Sequence, residues 1–505
     1  MDHLDPSSQT TLLDFFDSIK NTEAFQIQWR NAGEEGMNAY QELLNRERFP
    51  GGPQLCYELG LDVRVSTTLN PTPTPTATEV PVPSPTAVFA TPQPSTDPAP
   101  TLESDTDACG NALGNGGEVV SGPSAPEAND RDSVFRSLTA HPADPNIVLM
   151  GTERNGFVKS TDGGATWTRH RQGLRWLPGI GYPEIYDIAI SPSNPDIVFA
   201  ATVDSAGPVT GDFPSSVAGI YKSIDGGETW ARKNCGLSNA RVVAIQFDPG
   251  DPDIAVASVG AGERSFSTSL PEIPLFFEGG IYITTDGGDN WQRVPTGAND
   301  NVNNFRTITT IAAGGSDPIT FITFGMHTLQ GGSFDPSLNE GFRRSTDGGE
   351  SWVAFGPGEV RESKITHFTV SADGSVIYAP VGDAYHHLIS IDGGATWARS
   401  SINQGSGPVA VSPADPNSVI FRNSAQTSLF YSSDGLQTYS QVATTEGVSD
   451  DPAVRFAFED VVFAPADASI VYAATTGLLV YKSVDGGASF TLMKNIRPEV
   501  LNAAP

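Results

Sequence analysis

The sequence predicts an all-β fold: a single seven-bladed β-propeller of four-stranded antiparallel blades, with a small helical N-terminal unit and a Pro/Thr-rich linker. Three observations predict it. A short box, first met as "STDGGATW" from Ser160 to Trp167, returns six more times. Between the boxes the chain consists of short Val, Ile, Ala and aromatic runs broken by turn signals, with no helical pattern. Ahead of them the composition changes abruptly.

Residues 1–65 come first and read as mostly helical. In "TTLLDFFDSIK" the apolar Leu12, Phe16 and Ile19 share one helical face, and in "EEGMNAYQELLNRER" Met37, Tyr40 and Leu44 do the same. "FPGG" would stop the second helix. Residues 66–107 include "NPTPTPTATEVPVPSPTAVFATPQPSTDPAP", which can neither bury a core nor donate to a sheet ladder. This stretch is expected to be a disordered, extended polyproline II spacer of the kind found in surface and secreted proteins.

From residue 130 to 494 the chain repeats itself. The box aspartates are Asp162, Asp225, Asp286, Asp347, Asp392, Asp434 and Asp485, spaced by 63, 61, 61, 45, 42 and 51 residues. A self-similar unit of this size calls for a solenoid or a propeller. The second unit is the clearest: "IYDIAISP", the turn "SNPD", "IVFAAT", then "AGIYKSID", "GGE" and "TWARK". Four strands with no helix between them describe a propeller blade.

The box lies between the third and fourth strands, where the chain must reverse tightly. Its glycines supply positive φ, its carboxylate can accept turn amides, and its serine can bond nearby backbone. Trp167, Trp230, Trp291, Trp352 and Trp397, with Tyr439 and Phe490, place one aromatic per unit at the end of the box, a wedge to pack beside the next blade. Seven copies of one carboxylate suit architecture better than one catalytic centre.

At these residues the chain resembles the Asp-box, or bacterial neuraminidase repeat, proteins. "STDGGATW", "SIDGGETW", "SIDGGATW" and "STDGGESW" match their S-x-D-x-G-x-T-W signature, while "TTDGGDNW", "SSDGLQTY" and "SVDGGASF" depart from it at one or more places. The box occurs in sialidases, xyloglucan hydrolases, sortilin-like receptors and photosystem II assembly factors, so the resemblance implies the fold and leaves the function open. It also implies that any ligand site lies on the face opposite the boxes. A sialidase would need an F-R-I-P stretch, three arginines and a Tyr/Glu pair. "VFRSLTAHP" supplies Arg136 but Ser137 and Leu138 where Ile and Pro belong. The similar xyloglucan hydrolases pair two propellers, with a catalytic aspartate from each.

Aligning the units on the turn after the first strand places Arg136, Tyr186 with Asp187, Thr309 with Thr310, His367, and Glu459 with Asp460 at the channel mouth, with Arg241 and Arg306 just ahead of theirs. Asp187, His367, Glu459 and Asp460 are the candidate catalytic groups, since glycoside hydrolysis needs two carboxyls roughly 5–9 Å apart. The loop "RHRQGLRWLPGIGYPE" adds Arg171, Arg175, Trp176 and Tyr182, aromatics and arginines suited to a sugar or a protein. With Arg136, Tyr186, Arg241 and Arg306 these make the expected ligand-binding set.

A formal net charge of −30 argues against nucleic acid or an anionic membrane as partner. No run approaches a membrane span, and "MDHLDPSSQT" has no signal-peptide pattern. Cys56, Cys109 and Cys235 are too few and too scattered for a metal site, and no cofactor motif is present. The expectation is an extracellular or surface-displayed, non-catalytic binding module for carbohydrate or protein. A glycoside hydrolase using the channel-mouth carboxylates and an assembly-factor-like propeller are the alternatives.

Overall fold

The computed structural model describes residues 135–496, apart from several short interruptions, the longest at 204–216, 264–275 and 328–340. The expected helical unit and linker lie outside the described residues, as does Trp176.

Blade 1 shows how sequence becomes sheet. Its strands are Phe135–Ala140, Val148–Thr152, Phe157–Ser160 and Thr168–His170, paired antiparallel in chain order. The polar stretch between the first two strands makes its own turn: Asp144 Oδ1 accepts the Asn146 amide at 2.9 Å, and His141 Nδ1 accepts the Asp144 amide at 3.0 Å. Six further sheets follow this plan, each built from four strands of its own segment. Their first strands are Glu184–Ile190, Val242–Phe247, Asn303–Ile311, Thr369–Val370, Val409–Val411 and Phe458–Ala464. Each first strand touches the next, and the last touches Phe135–Ala140, so seven blades close around an axis lined by these strands. The one helix among the described residues is a single turn, Gly358–Arg361.

Every box carboxylate serves its own turn. Asp162 Oδ1 accepts the Ala165 and Thr166 amides at 3.0 and 2.8 Å, and its Oδ2 accepts the Thr166 hydroxyl at 2.6 Å. Ser160 Oγ donates to Asp162 at 2.9 Å and accepts the Gly164 amide at 2.8 Å. The Thr166 hydroxyl and amide hold the Asp162 carboxyl down at about 2. Where the threonine is replaced, Asn290 Nδ2 donates to Asp286 at 2.8 Å instead. Where the second glycine is replaced, Leu436 itself adopts φ 67°.

Trp230, Trp291 and Trp397 pack on the preceding blade rather than the following one, while Tyr439 packs on Phe421 and Phe430 of its own blade. Trp230 stacks on Phe157 of blade 1 at 3.9 Å between ring centroids, and Trp397 stacks on Phe342 of blade 4 at 5.1 Å. Basic side chains reach forward across the same gaps. Lys159 Nζ donates to Gly226 O at 2.9 Å, Lys222 Nζ to Gly287 O at 2.8 Å, and Lys482 Nζ to Gly163 O at 3.3 Å, the last crossing from blade 7 to blade 1. That closing seam also carries Asp460 Oδ2 accepting the Leu138 amide at 3.1 Å, Tyr472 Oη donating to Pro145 O at 2.8 Å, and an apolar cluster joining Leu138, Met150 and Trp167 to Tyr472, Val480 and Ile496. Among the described residues no strand is exchanged between blades 7 and 1, and these side-chain contacts join them.

One core position breaks the apolar rule. His387 pairs across its sheet where the other blades carry Phe157, Ile220, Ile281, Phe342, Leu429 and Val480. It is fully buried against Phe421, neither ring nitrogen has a hydrogen-bond partner, and burial pushes its pKa down to about 3. The unfolded chain takes up this proton near pH 6.5 and the folded chain does not, so His387 subtracts stability as pH falls from about 6.5 toward 3, by about 1.4 kcal/mol per pH unit. His387→Leu is expected to stabilise the fold by about 1–3 kcal/mol at pH 7.5 and by more at pH 4.5. Melting temperatures of both proteins at the two pH values check this; a gain that shrinks on acidification would contradict it.

Candidate functional site

The inner strands are irregular at one point, and that point builds the site. On the first strand of blade 1 the pairing register shifts between Phe135 and Ser137, leaving Arg136 as the extra residue. Blade 2 shifts between Ile185 and Asp187, leaving Tyr186, and blade 7 shifts between Phe458 and Asp460, leaving Glu459. Such bulges re-aim a side chain out of the in–out alternation. Blades 7, 1 and 2 are neighbours in the ring. Gly163 of the box accepts no such role: its amide bonds Asn146 O in the turn between the first and second strands, so boxes and these turns share one face. The bulges, at the starts of the first strands, lie toward the other.

Charged groups converge behind them. Arg136 pairs with Glu184 through a short contact and with Glu153 at 3.4 Å. Both carboxyl residues are buried while the Arg136 side chain keeps a third of its surface. Burial opposes the Arg136 charge, but Glu184 and Glu153 together raise its pKa. Burial pushes Glu184 up to about 7 against the pull of Arg136, and the charge of Arg241 also reaches it. Glu459 is raised by burial too, with Arg422 and Arg136 acting against the shift.

Arg422 deserves its place by contrast with its equivalents. The other blades carry Gly151, Ala201, Ser258, Phe324, Pro380 and Ala474 at that register, all uncharged, so a cation there is exceptional. It is buried, donates to Phe458 O at 2.6 Å and stands 3.8 Å from Glu459. Gly407 makes room for it: a Cβ there would fall 2.0 Å from the guanidinium.

Asp187 and Asp460 occupy the next position inward and are half-buried. Asp187 accepts the Ile188 amide at 2.9 Å and the Ile245 amide of blade 3 at 2.9 Å. Asp460 accepts the Val461 amide at 2.8 Å and Leu138 of blade 1. Each carboxylate thus holds its own strand with Oδ1 and pins the next blade with Oδ2. Burial raises Asp187 to about 6 and Asp460 to about 7, and the Asp187 charge adds to the latter shift.

Of the residues expected from the sequence, Arg136, Tyr186, Asp187, Glu459 and Asp460 come together here, and Arg241 acts on Glu184. His367 lies half-buried on the approach to Thr369–Val370 of blade 5, and the side chain of Arg306 is outside the described set. The expected loop surface is corrected: Tyr182 is 1 % exposed, in the core shared by blades 1 and 2 beneath Arg171 at 4.7 Å. Arg171 Nε donates to Asn155 O at 2.8 Å, and the Arg175 amide donates to Tyr221 Oη at 3.3 Å. These groups tie the loop to its own blades. Glu153, Glu184 and Arg422 were not anticipated; an arginine in a column of uncharged residues was the available signal for the last.

No family model matches the chain. A xyloglucanase from Acetivibrio thermocellus is 24% identical over 265 residues, 47% of this chain and 28% of that protein. A probable oligoxyloglucan-reducing end-specific xyloglucanase from Neosartorya fischeri is 28% identical over 167 residues, 32% of this chain and 17% of that one. The matches thus span less than a third of these relatives' length. Among solved structures, the GH74 xyloglucanase from Xanthomonas campestris superposes with a TM-score of 0.52 at 15% identity, over 72% of this chain and 55% of that one, a likeness of fold. The sequence relatives overturn the expectation of a non-catalytic binding module, because the proteins similar to this chain are named as glycan hydrolases.

Arg136→Leu would leave Glu153 and Glu184 without their shared cation. It is expected to cost about 2–3 kcal/mol at pH 8, less than for a fully buried pair because the guanidinium is partly solvated. The loss should diminish toward pH 5, since Glu184, raised to about 7 by burial, then takes a proton. Denaturant midpoints across that range test the pattern, which a pH-independent loss would refute.

Proposed function

We propose that the protein is a glycoside hydrolase acting on a β-glucan of the xyloglucan type, with carboxyl groups of the channel mouth as acid and base. The carrying observation is that Glu184 and Glu459 come from the two blades flanking Arg136, and that burial raises the pKa of both. Hydrolysis needs one carboxyl protonated and one ionised, and groups whose surroundings hold protons to near neutrality suit the acid role. Glu459 keeps 29% of its side chain accessible, so it is the carboxyl a substrate can reach. The xyloglucanase relatives supply the substrate class. The repeated Ser-x-Asp turns also fit membership of the Asp-box propellers. Cys235 is disulfide-bonded, which supports an oxidising, extracellular setting.

Release of reducing ends from xyloglucan by the full chain tests this. Glu459→Gln is expected to lower kcat at least 100-fold, in the range typical of removing an acid–base group. The wild-type rate should decline toward alkaline pH as Glu459, whose pKa burial raises, loses its proton. Absence of turnover on xyloglucan and on unsubstituted β-glucans would end the proposal.

A further inference from the structure

We infer that Tyr186, Arg136 and Glu459 form a subsite for one ring of an uncharged sugar, with Tyr186 as its stacking platform. The inference rests on the hydrolase reading for its location, and it adds which residues grip the substrate and which charge class they accept.

The three side chains stand on three consecutive blades at one register position, each on a bulge. The corresponding bulge on the next blade leaves Val243, which is buried, so the polar set ends there. Tyr186 is 37% exposed. It is the one exposed large apolar or aromatic side chain on a first strand among the described residues; Ile224, Ile391 and Val484 sit in the boxes, and Val353, Leu492 and Met493 on fourth strands. The tyrosine ring is thus partly open to solvent beside polar groups. A pyranose offers what fits: a CH face for the ring and equatorial hydroxyls for hydrogen bonds at its edge.

The polar edge is preset. Arg136 is held from behind by buried Glu153 and Glu184, and Glu459 by buried Arg422, whose space depends on Gly407. Groups fixed in this way lose little rotamer freedom on binding. Arg136 donates and Glu459 accepts, a complementary pair for neighbouring hydroxyls.

The charge class follows from the count around the site. Glu153 and Glu184 face the Arg136 guanidinium, Arg241 also acts on Glu184, and Glu459 faces Arg422, on a chain of net charge −30. Arg136 already has two carboxyl partners. A sialic or uronic acid would bring another anion into an acidic surround, so the subsite selects neutral sugars.

The test is calorimetric binding to the full chain. Cellotetraose is the neutral probe, with tetragalacturonate and 3′-sialyllactose as acidic ones. Wild type is expected to bind cellotetraose at least about tenfold more tightly than either acid. Tyr186→Ala should weaken cellotetraose about tenfold, and Tyr186→Phe should stay within about threefold of wild type, because the ring face is what stacks. Unchanged melting temperatures, expected for an exposed residue, secure the comparison. Equal affinity in Tyr186→Ala, tighter binding of an acidic probe, or no binding of cellotetraose would each overturn the subsite. Cellotetraose binding with the expected Tyr186 dependence but no hydrolysis would remove the hydrolase reading and leave the subsite standing; hydrolysis indifferent to Tyr186→Ala would do the reverse.

Discussion

The structure depends on the closure of seven sheets that share no strand. Each blade must present an apolar face to its neighbour and then be kept from sliding. Apolar burial supplies the attraction but not the register, because it has no direction. Direction comes from a few polar contacts placed at both ends of the gap. On the box face, Lys159, Lys222 and Lys482 reach to a glycine carbonyl of the following turn. Near the opposite face, Asp187 and Asp460 clamp an amide of their own blade and one of the next.

The box is what makes the first set of contacts possible. A carbonyl can serve as a fixed acceptor only if its turn is rigid, and the turn is rigid because one carboxylate satisfies two amides and a hydroxyl at once. This explains why Asn290 and Leu436 are tolerated in their boxes. Asn290 still donates to the carboxylate, and Leu436 still adopts the left-handed backbone, with its side chain buried in return.

The fold was legible because the box repeats a local structure whose chemistry is complete within eight residues. The site was legible only in part. Register alignment found Arg136, Tyr186 and Glu459, since a bulge at a constant distance from a turn leaves a constant mark in sequence. Glu184 escaped notice at the head of "EIYDIAI", because its meaning depends on Arg136 standing one blade away. Arg171 and Tyr182 misled for a related reason. An arginine and an aromatic in a loop look the same whether they face a ligand or each other, and here they face each other. The non-catalytic reading went astray because the carboxyls gathered behind Arg136 come from separate blades and were invisible without the ring.

The position of the site relative to the seam has a consequence for its chemistry. The first strands of blades 7 and 1 are in contact, and the polar cluster straddles that junction. Asp460, which holds the Leu138 amide across the seam, follows Glu459 directly, and Leu138 lies two residues beyond Arg136. Any opening of the seam therefore separates Glu459 from Arg136 before it disturbs other blades. A raised carboxyl pKa needs a dry and closed surround, so Glu184 and Asp460 hold protons near neutrality only while the ring is shut. Ring closure and the protonation state of the site are thus one physical condition: the contacts that join the last blade to the first also set the charges that a substrate would meet.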